Sequence, residues 1–232
     1  MSNSQDFRAI VTDIARVPPQ LVARASHFAS SILADVNGRR GGMHGRVAPM
    51  DPRFRICGTA VTVDVRPGDN LMIHAAIALA RPGDVIVVDG KADQTCALMG
   101  AIMANQCLAS GLAGVVLDAA ARDFDEIREL GFPMYAVGTN PNGPTKLVPG
   151  LINHPVQCGG VTVHPGDLVV GDADGVVVIE REKVAEILDL AAEKLEGERK
   201  RIANIQSGAE TRPAWLASAL AASGVLAPGQ VL

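Results

Sequence analysis

The sequence predicts an α/β fold built round a parallel sheet, and three features carry that reading. The runs Val85-Ile86-Val87-Val88 and Val115-Val116-Leu117 have the fully apolar composition of strands buried on both faces. The segment between them has the length and composition of a helix, which makes a strand-helix-strand unit whose right-handed crossover places both strands in one parallel sheet. A chain of 232 residues, 48% of them hydrophobic, is long enough to bury such a sheet in a sizeable core without disulfides or structural metals. A single domain over residues 1–232 is expected.

From Asp6 to about Leu33, Ile10, Ile14 and Val17 and then Leu21, Val22, Ala25, Phe28 and Ile32 read as two helices, divided by Pro18-Pro19. A Gly/Arg segment follows, in which Gly38, Gly41, Gly42 and Gly45 alternate with Arg39, Arg40 and Arg46. Such a loop either folds closely round a small anion or remains a solvated basic loop. The run Ile56 to Val65 alternates Val61, Val63 and Val65 with Thr62 and Asp64, the pattern of a strand, and Leu71 to Leu79 reads as a short helix. After the apolar strand at Val85, a helix is expected from about Thr95 to Ser110, closed by Gly111. Gly114 to Leu117 is the next strand, Asp123 to Leu130 a helix closed by Gly131, and Met134 to Val137 a further strand. Residues 139–150 are rich in Pro, Gly and Asn and read as a long ordered loop. Val161–Val163, Leu168–Val170 and Val176–Ile179 are short strands, and Arg181 to Ile205 is a charged amphipathic helix with Val184, Ile187, Leu188, Ala191 and Leu195 on one face. Pro-Gly-Asp recurs at Pro67, Pro82 and Pro165, three turns of similar chemistry rather than a sequence repeat.

The composition excludes several functions. A net charge of −4 and 3% aromatic residues provide neither a field for phosphates nor a platform for bases, so nucleic acid is not an expected partner. The longest apolar runs fall far short of the roughly 20 residues of a membrane-spanning helix, and the N-terminus lacks the apolar core of a secretory signal, so a cytoplasmic protein is expected. Cys57, Cys96, Cys107 and Cys158 are scattered without a C-x-x-C pair, as reduced buried residues would be. Nucleotide-loop, zincin and serine-hydrolase motifs are absent.

What remains is a group of polar residues near the carboxyl ends of the apolar strands, where open α/β sheets place ligands: Asp89, Lys91, Asp93, Asp118, Arg122 and Asp123. Arg122-Asp123 sets a guanidinium fork for a carboxylate beside an oxygen ligand for a hard cation. On spacing alone, Asp123 can equally cap a helix while Arg122 pairs with a surface acid. Residues 98–103 lie near a helix start if that helix begins late, where free backbone N–H groups bind anions.

The chain resembles the RraA-like family, which includes 4-hydroxy-4-methyl-2-oxoglutarate/4-carboxy-4-hydroxy-2-oxoadipate aldolases. The resemblance rests on Leu33 to Gly41, Arg66-Pro67-Gly68-Asp69-Asn70, Pro82 to Gly90, Gly114 to Asp118 with Arg122-Asp123, Gly159 to Val163, Pro165-Gly166-Asp167 and Gly171 to Val176. It implies an αββα-type sandwich with a central mixed sheet, trimers or hexamers with active sites between subunits, and a Mg²⁺ or Mn²⁺ ion. Arg122 would hold the substrate and its emerging enolate, and Asp123 would ligate the metal. The backbone of Gly100, Ala101, Ile102 and Met103 would take the pyruvyl carboxylate, and Asp35 and Glu196 or Glu198 would come from an adjacent subunit. The implied activity is a class II-type pyruvate aldolase, with oxaloacetate decarboxylation through the same enolate. One position departs from the pattern: the aldolases carry an acidic residue where this chain has Ala101, a loss that weakens or reshapes the metal site. Lys91-Ala92-Asp93 stands where the family often has glycines, which would place a cation at the pocket mouth. The competing reading is a non-catalytic binding protein like the founding family member, an inhibitor of ribonuclease E; Ala101 favours it and the intact Arg122-Asp123 pair opposes it. A methyltransferase, a name also attached to the family, lacks a glycine-rich nucleotide loop here.

Overall fold

The computed structural model describes residues 8–226 and Gln230. The described chain packs as two units, Met1–Ala191 and Ala192–Leu232.

In the first unit, α1 (Pro19–Ala25) and α2 (Ser30–Val36) lead into β1 (Ala48–Pro49) and β2 (Ile56–Asp64). Then come α3 (Leu71–Leu79), β3 (Asp84–Met99), α4 (Ala101–Ala109), β4 (Gly114–Ala121), α5 (Phe124–Leu130) and β5 (Met134–Thr139). The short strands β6 (Leu151–Ile152), β7 (Val156–Cys158), β8 (Val161–Val163), β9 (Leu168–Asp172) and β10 (Gly175–Ile179) follow, and α6 (Val184–Gln206) begins after a single 3₁₀ turn. The sheet order is β1-β5-β4-β3-β2-β9-β10, with β6 paired to β2 and β7-β8 forming a separate hairpin. The predicted parallel unit is present: Val85 pairs with Gly114 and Val88 with Leu117, and β2-β3 and β4-β5 are parallel too. Antiparallel β9 and β10 make the sheet mixed. Val85 to Val88 and Val115 to Leu117 are fully buried, each side chain stabilising the fold by about 1.5–3 kcal/mol. A second core joins α1, α2 and the start of α6 to Leu168, Val170, Val177 and Ile179.

Two helix expectations are corrected. The first helix predicted before Pro18 is absent among its described residues, and Asp6 and Phe7 lie outside them. Ile10 instead forms a bridge with Ile152, the Val11 N–H donates to the Ile152 carbonyl, and Arg16 forks onto Asp84 at 2.9–3.3 Å. A sheet partner offers this β-branched stretch hydrogen bonds that a short helix must first nucleate alone. Pro18 and Pro19 then start α1, where a missing N–H costs nothing. The second correction concerns the helix expected from Thr95. Here β3 continues to Met99 through shifts of register, after a turn in which Lys91 and Ala92 both hold positive φ, and α4 starts only at Ala101.

The three Pro-Gly-Asp turns share one construction. Gly68, Gly83 and Gly166 have φ of 79°, 84° and 95°, and the N–H of Asp69, Asp84 and Asp167 donates to the carbonyl three residues back. That is a type II turn, which needs glycine at its third position. Each aspartate is buried, and its carboxylate accepts a nearby backbone N–H group: Asp84 and Asp167 reach back to Arg81 and His164, whereas Asp69 reaches forward to Leu71.

In the second unit, the remainder of α6 carries the pairs Lys194–Glu198 and Lys200–Glu196, and α7 (Leu216–Ala222) follows. No helix among the described residues is long and apolar enough to cross a membrane.

Candidate active site

At the end of β4, the Arg122 N–H donates to the Met99 carbonyl at 3.0 Å, which ties this corner to the end of β3 just before α4. Asp123 adopts φ 59° and ψ 47°, an uncommon conformation for a residue with a side chain and one that concentrates at functional sites. It occupies the cap position of α5 without capping it. Its Oδ2 instead accepts the N–H of Ala101, the first residue of α4, at 2.9 Å. Arg122 faces the same carboxylate, with Nε 3.8 Å from Oδ2. Both side chains remain accessible, Arg122 at 40% and Asp123 at 34%.

Gly100 is what allows this packing. A Cβ there would lie 2.4 Å from Asp123 Oδ2, 3.0 Å from Arg122 Cγ and 3.2 Å from Arg122 Nε. The two functional side chains therefore lie directly over a backbone that has no side chain of its own. The amides of Ile102 and Met103 belong to the first turn of α4, which has no acceptors within the helix and carries the positive end of its dipole.

These groups share a cavity of about 140 Å³ with Asn70, His74, Leu98, Pro144 and Lys146. That is well below the roughly 300–1,000 Å³ of drug-sized or nucleotide pockets, and it suits a small organic acid. Gly100, Ile102 and Met103 of the expected carboxylate-binding segment line it, whereas the Ala101 N–H is taken by Asp123. The loop 139–150 supplies the outer wall and is fastened by Asp69. Burial works to raise the pKa of Asp69, but the Thr145 hydroxyl and the amides of Leu147, Leu71 and Val148 hold the carboxyl at about 2.

The rest of the expected polar group is divided elsewhere. Asp118 is gripped by the Arg46 guanidinium at 3.1 and 3.0 Å and by the Gly159 amide at 2.9 Å. Lys91 does not stand at the pocket mouth; it bridges Asp64 and Asp89 at 2.7 and 2.6 Å. Asp93 holds the amide and hydroxyl of Thr95. In the Gly/Arg segment, Gly41 packs so closely on β10 that a Cβ would meet the Val178 carbonyl oxygen at 2.1 Å, and Arg46 is committed to Asp118. The cysteines are free, and burial pushes the Cys57 and Cys107 thiols up to about 12 and Cys158 higher still, so none is a ready nucleophile.

Residues 11–178 match the protein family described as RraA-like: Aldolase/RraA. The chain belongs to the RraA-like family. A relative in Halalkalibacterium halodurans, named "Putative 4-hydroxy-4-methyl-2-oxoglutarate aldolase", is 42% identical over 148 residues, covering 64% of this chain and 70% of that protein. One of the same name in Deinococcus radiodurans is 32% identical over 171 residues, 74% of this chain and 94% of that one. Among solved structures, Streptomyces coelicolor RraAS2, described as an unusual member of the RNase ES inhibitor RraA protein family, superposes with a TM-score of 0.75. It is 29% identical and covers 82% of this chain and 98% of its own.

Of the other residues that the RraA-like resemblance implicated, Asp35 is exposed on α2 and does not line the cavity, and Glu196 and Glu198 lie in the second unit. Among the described residues no group of three or more His, Cys, Asp or Glu side chains is arranged to hold a metal. The donor set nevertheless fits a hard cation: Oδ1 of Asp123 is left by the Ala101 bond, and Mg²⁺ is commonly held by one or two carboxylates, with water and substrate completing its shell. It does not fit zinc, which takes four N, S or O ligands. The sequence leaves open whether His74 touches a ligand and gives Asn70 and Lys146 no such role, because only the packing of α3 and the fastening of the 139–150 loop bring the three to Arg122.

Proposed function

We propose that this RraA-like protein is a divalent-metal-dependent carbon–carbon lyase that releases pyruvate from a small 2-oxo acid of the 4-hydroxy-4-methyl-2-oxoglutarate type, with oxaloacetate decarboxylation as a second activity. The observation that carries the reading is the Arg122-Asp123 pair, packed over Gly100 at the start of α4 inside a cavity of small-acid size.

The pyruvyl carboxylate is received at the first turn of α4, where amide donors and the helix dipole favour an anion. The Arg122 guanidinium faces the 2-oxo oxygen and stabilises the negative charge that develops there as the carbon–carbon bond breaks. Asp123, oriented by the Ala101 amide, is the group that would hold the cation. When bound, Mg²⁺ or Mn²⁺ supplies Lewis-acid stabilisation of the enolate. Decarboxylation of oxaloacetate generates the same enolate, so the same two side chains serve both reactions. Asp35, Glu196 and Glu198 would reach this site from another copy of the chain, in a trimer or hexamer.

The second reading, a non-catalytic regulator, draws on Ala101, which removes a carboxylate from beside the cation, and on the likeness to RraAS2. Pyruvate release from 4-hydroxy-4-methyl-2-oxoglutarate and from oxaloacetate, with Mg²⁺ or Mn²⁺ against a chelator, separates the two. Metal-dependent release above the free-metal background that is lost in Arg122→Ala and Asp123→Ala supports the lyase; no release from either substrate supports the regulator.

A further inference from the structure

Asparagine followed by glycine occurs at Asn37-Gly38 and at Asn142-Gly143. The order matters chemically. A backbone nitrogen can attack the side-chain amide carbon of the asparagine before it, and glycine, with no Cβ, obstructs that approach least.

The two copies are held differently. Asn37 closes α2: its N–H donates to the Leu33 carbonyl, and its Nδ2 donates to the Arg40 carbonyl at 3.1 Å. Its ψ of 20° also turns the Gly38 nitrogen away from the Asn37 side chain. Asn142 and Gly143 are exposed and lie outside any helix or strand. The Asn142 Nδ2 reaches the Thr95 carbonyl only at 3.4 Å, beyond the usual range of such bonds. The Gly143 N–H, the attacking group, makes no hydrogen bond among the described residues.

The surroundings give this pair its consequence. Gly143 packs on Arg122, where a Cβ would lie 3.1 Å from Nη1. The Asn142 carbonyl accepts the N–H of Ala97 at 2.9 Å, in the last stretch of β3 before Gly100. Residue 142 therefore joins the outer wall of the cavity to the strand that delivers the start of α4.

We propose that Asn142-Gly143 is a self-modifying site, and that its conversion to isoaspartate opens this wall. The Gly143 nitrogen gives its proton to solvent hydroxide and bonds to Asn142 Cγ; the Cγ–Nδ2 bond breaks, and Nδ2 takes a proton from water and leaves as ammonia. Water then opens the cyclic imide. Breaking the new Cγ–N bond gives aspartate, and breaking the original backbone C–N bond gives isoaspartate. One water is consumed and one ammonia released, with no oxidant or reductant. In the isoaspartyl product the main chain runs through the side-chain methylene. The carbonyl that held Ala97 becomes a free carboxylate, and a negative charge appears beside the Arg122 guanidinium. Only the effect on catalysis rests on the lyase reading.

The test incubates the native protein in warm, mildly alkaline buffer and follows its tryptic peptides by mass spectrometry. Peptide 129–146 carries both Asn140 and Asn142. Conversion is expected at Asn142 and not at Asn140, because Pro141 has no N–H to lose. Peptide 25–39 is expected to convert about tenfold more slowly, since Asn37 must first break its bond to Arg40. Hydrogen exchange at the Ala97 amide is expected to rise about tenfold in the converted protein. Asn142→Ser is expected neither to convert nor to change its exchange at Ala97 during the same incubation. In a lyase, pyruvate release falls in step with conversion of the native protein and holds steady in Asn142→Ser. An intact Asn142, conversion of Asn37 at the same rate, or conversion that leaves exchange at Ala97 unchanged overturns the proposal. Absence of pyruvate release from fresh protein counts against the lyase reading instead, and the peptide and exchange measurements then decide this one.

Discussion

Substituting Gly100 by alanine tests the geometry of the site without replacing either functional side chain. The backbone there is extended, at φ −152° and ψ −167°, so alanine adopts it without conformational cost. The effect is therefore purely one of space. A Cβ would sit 2.4 Å from Asp123 Oδ2, and real Cβ contacts essentially never fall under 3.0 Å, so the carboxylate must retreat by at least about 0.6 Å. That movement strains or breaks the 2.9 Å bond from the Ala101 amide and pushes Arg122 as well, whose Cγ would be 3.0 Å away. A misplacement approaching 1 Å at reacting groups costs on the order of a hundredfold in rate, while overpacking costs roughly 1–3 kcal/mol of stability. Gly100→Ala is thus expected to lose about a hundredfold in kcat for pyruvate release, followed with coupled lactate dehydrogenase, while remaining folded. Gly45→Ala, where a Cβ would meet nothing within 4 Å and φ is not positive, is the control and is expected to change neither rate nor stability. Wild-type kcat in Gly100→Ala would refute the assignment of this corner as the reacting centre.

Other perturbations test the scaffold. Ala92 holds φ at 56°, so Ala92→Gly relieves backbone strain and is expected to raise unfolding stability by about 0.5–1 kcal/mol in urea titration, after the entropy lost on introducing glycine is counted. Asp69 has its carboxyl held at about 2, below its ordinary 3.8. Its contribution to stability is complete above the unfolded value and is lost as pH falls through the folded one; between pH 4 and 2 the native protein is expected to lose about 1–2 kcal/mol more than Asp69→Asn, measured by thermal unfolding. Arg46→Met leaves the 3% exposed Asp118 with only the Gly159 amide, and a loss of roughly 2–3 kcal/mol is expected by chemical denaturation; the double variant with Asp118→Asn should recover part of it.

Much of this arrangement is legible in the chain. The apolar strands stand out because a central parallel strand buries both faces and cannot alternate. The three Pro-Gly-Asp turns are legible because each residue contributes something different: proline sets φ, glycine supplies the positive φ, and aspartate closes the turn. The Arg122-Asp123 pair is visible as a pair of residue types, but its alternative as a helix cap is closed only by the structure, in which the carboxylate turns away to the Ala101 amide. The extended segment before Pro18 looks helical in sequence because widely spaced apolar residues fit more than one period, and its partner Ile152 is far along the chain. The late start of α4 is hidden because the turn at Lys91 and Ala92 uses positive φ without glycine, so no residue marks it. Asn70 ends the Arg66–Asn70 stretch that carries the family resemblance, but nothing in the sequence sets it beside His74 and Lys146; tertiary packing brings the three together.

The central claim, that Arg122 and Asp123 stabilise a pyruvate enolate, is tested most directly by exchange of the pyruvate methyl protons for deuterium in D₂O, followed by proton NMR with Mg²⁺ or Mn²⁺. This measurement needs only the pyruvyl half of any substrate, so it does not depend on which aldol the protein uses. Exchange well above the free-metal rate with the native protein, falling to that rate with Arg122→Ala and with Asp123→Ala, is the predicted result. Native exchange no faster than the free metal, or exchange unchanged in both variants, would contradict it.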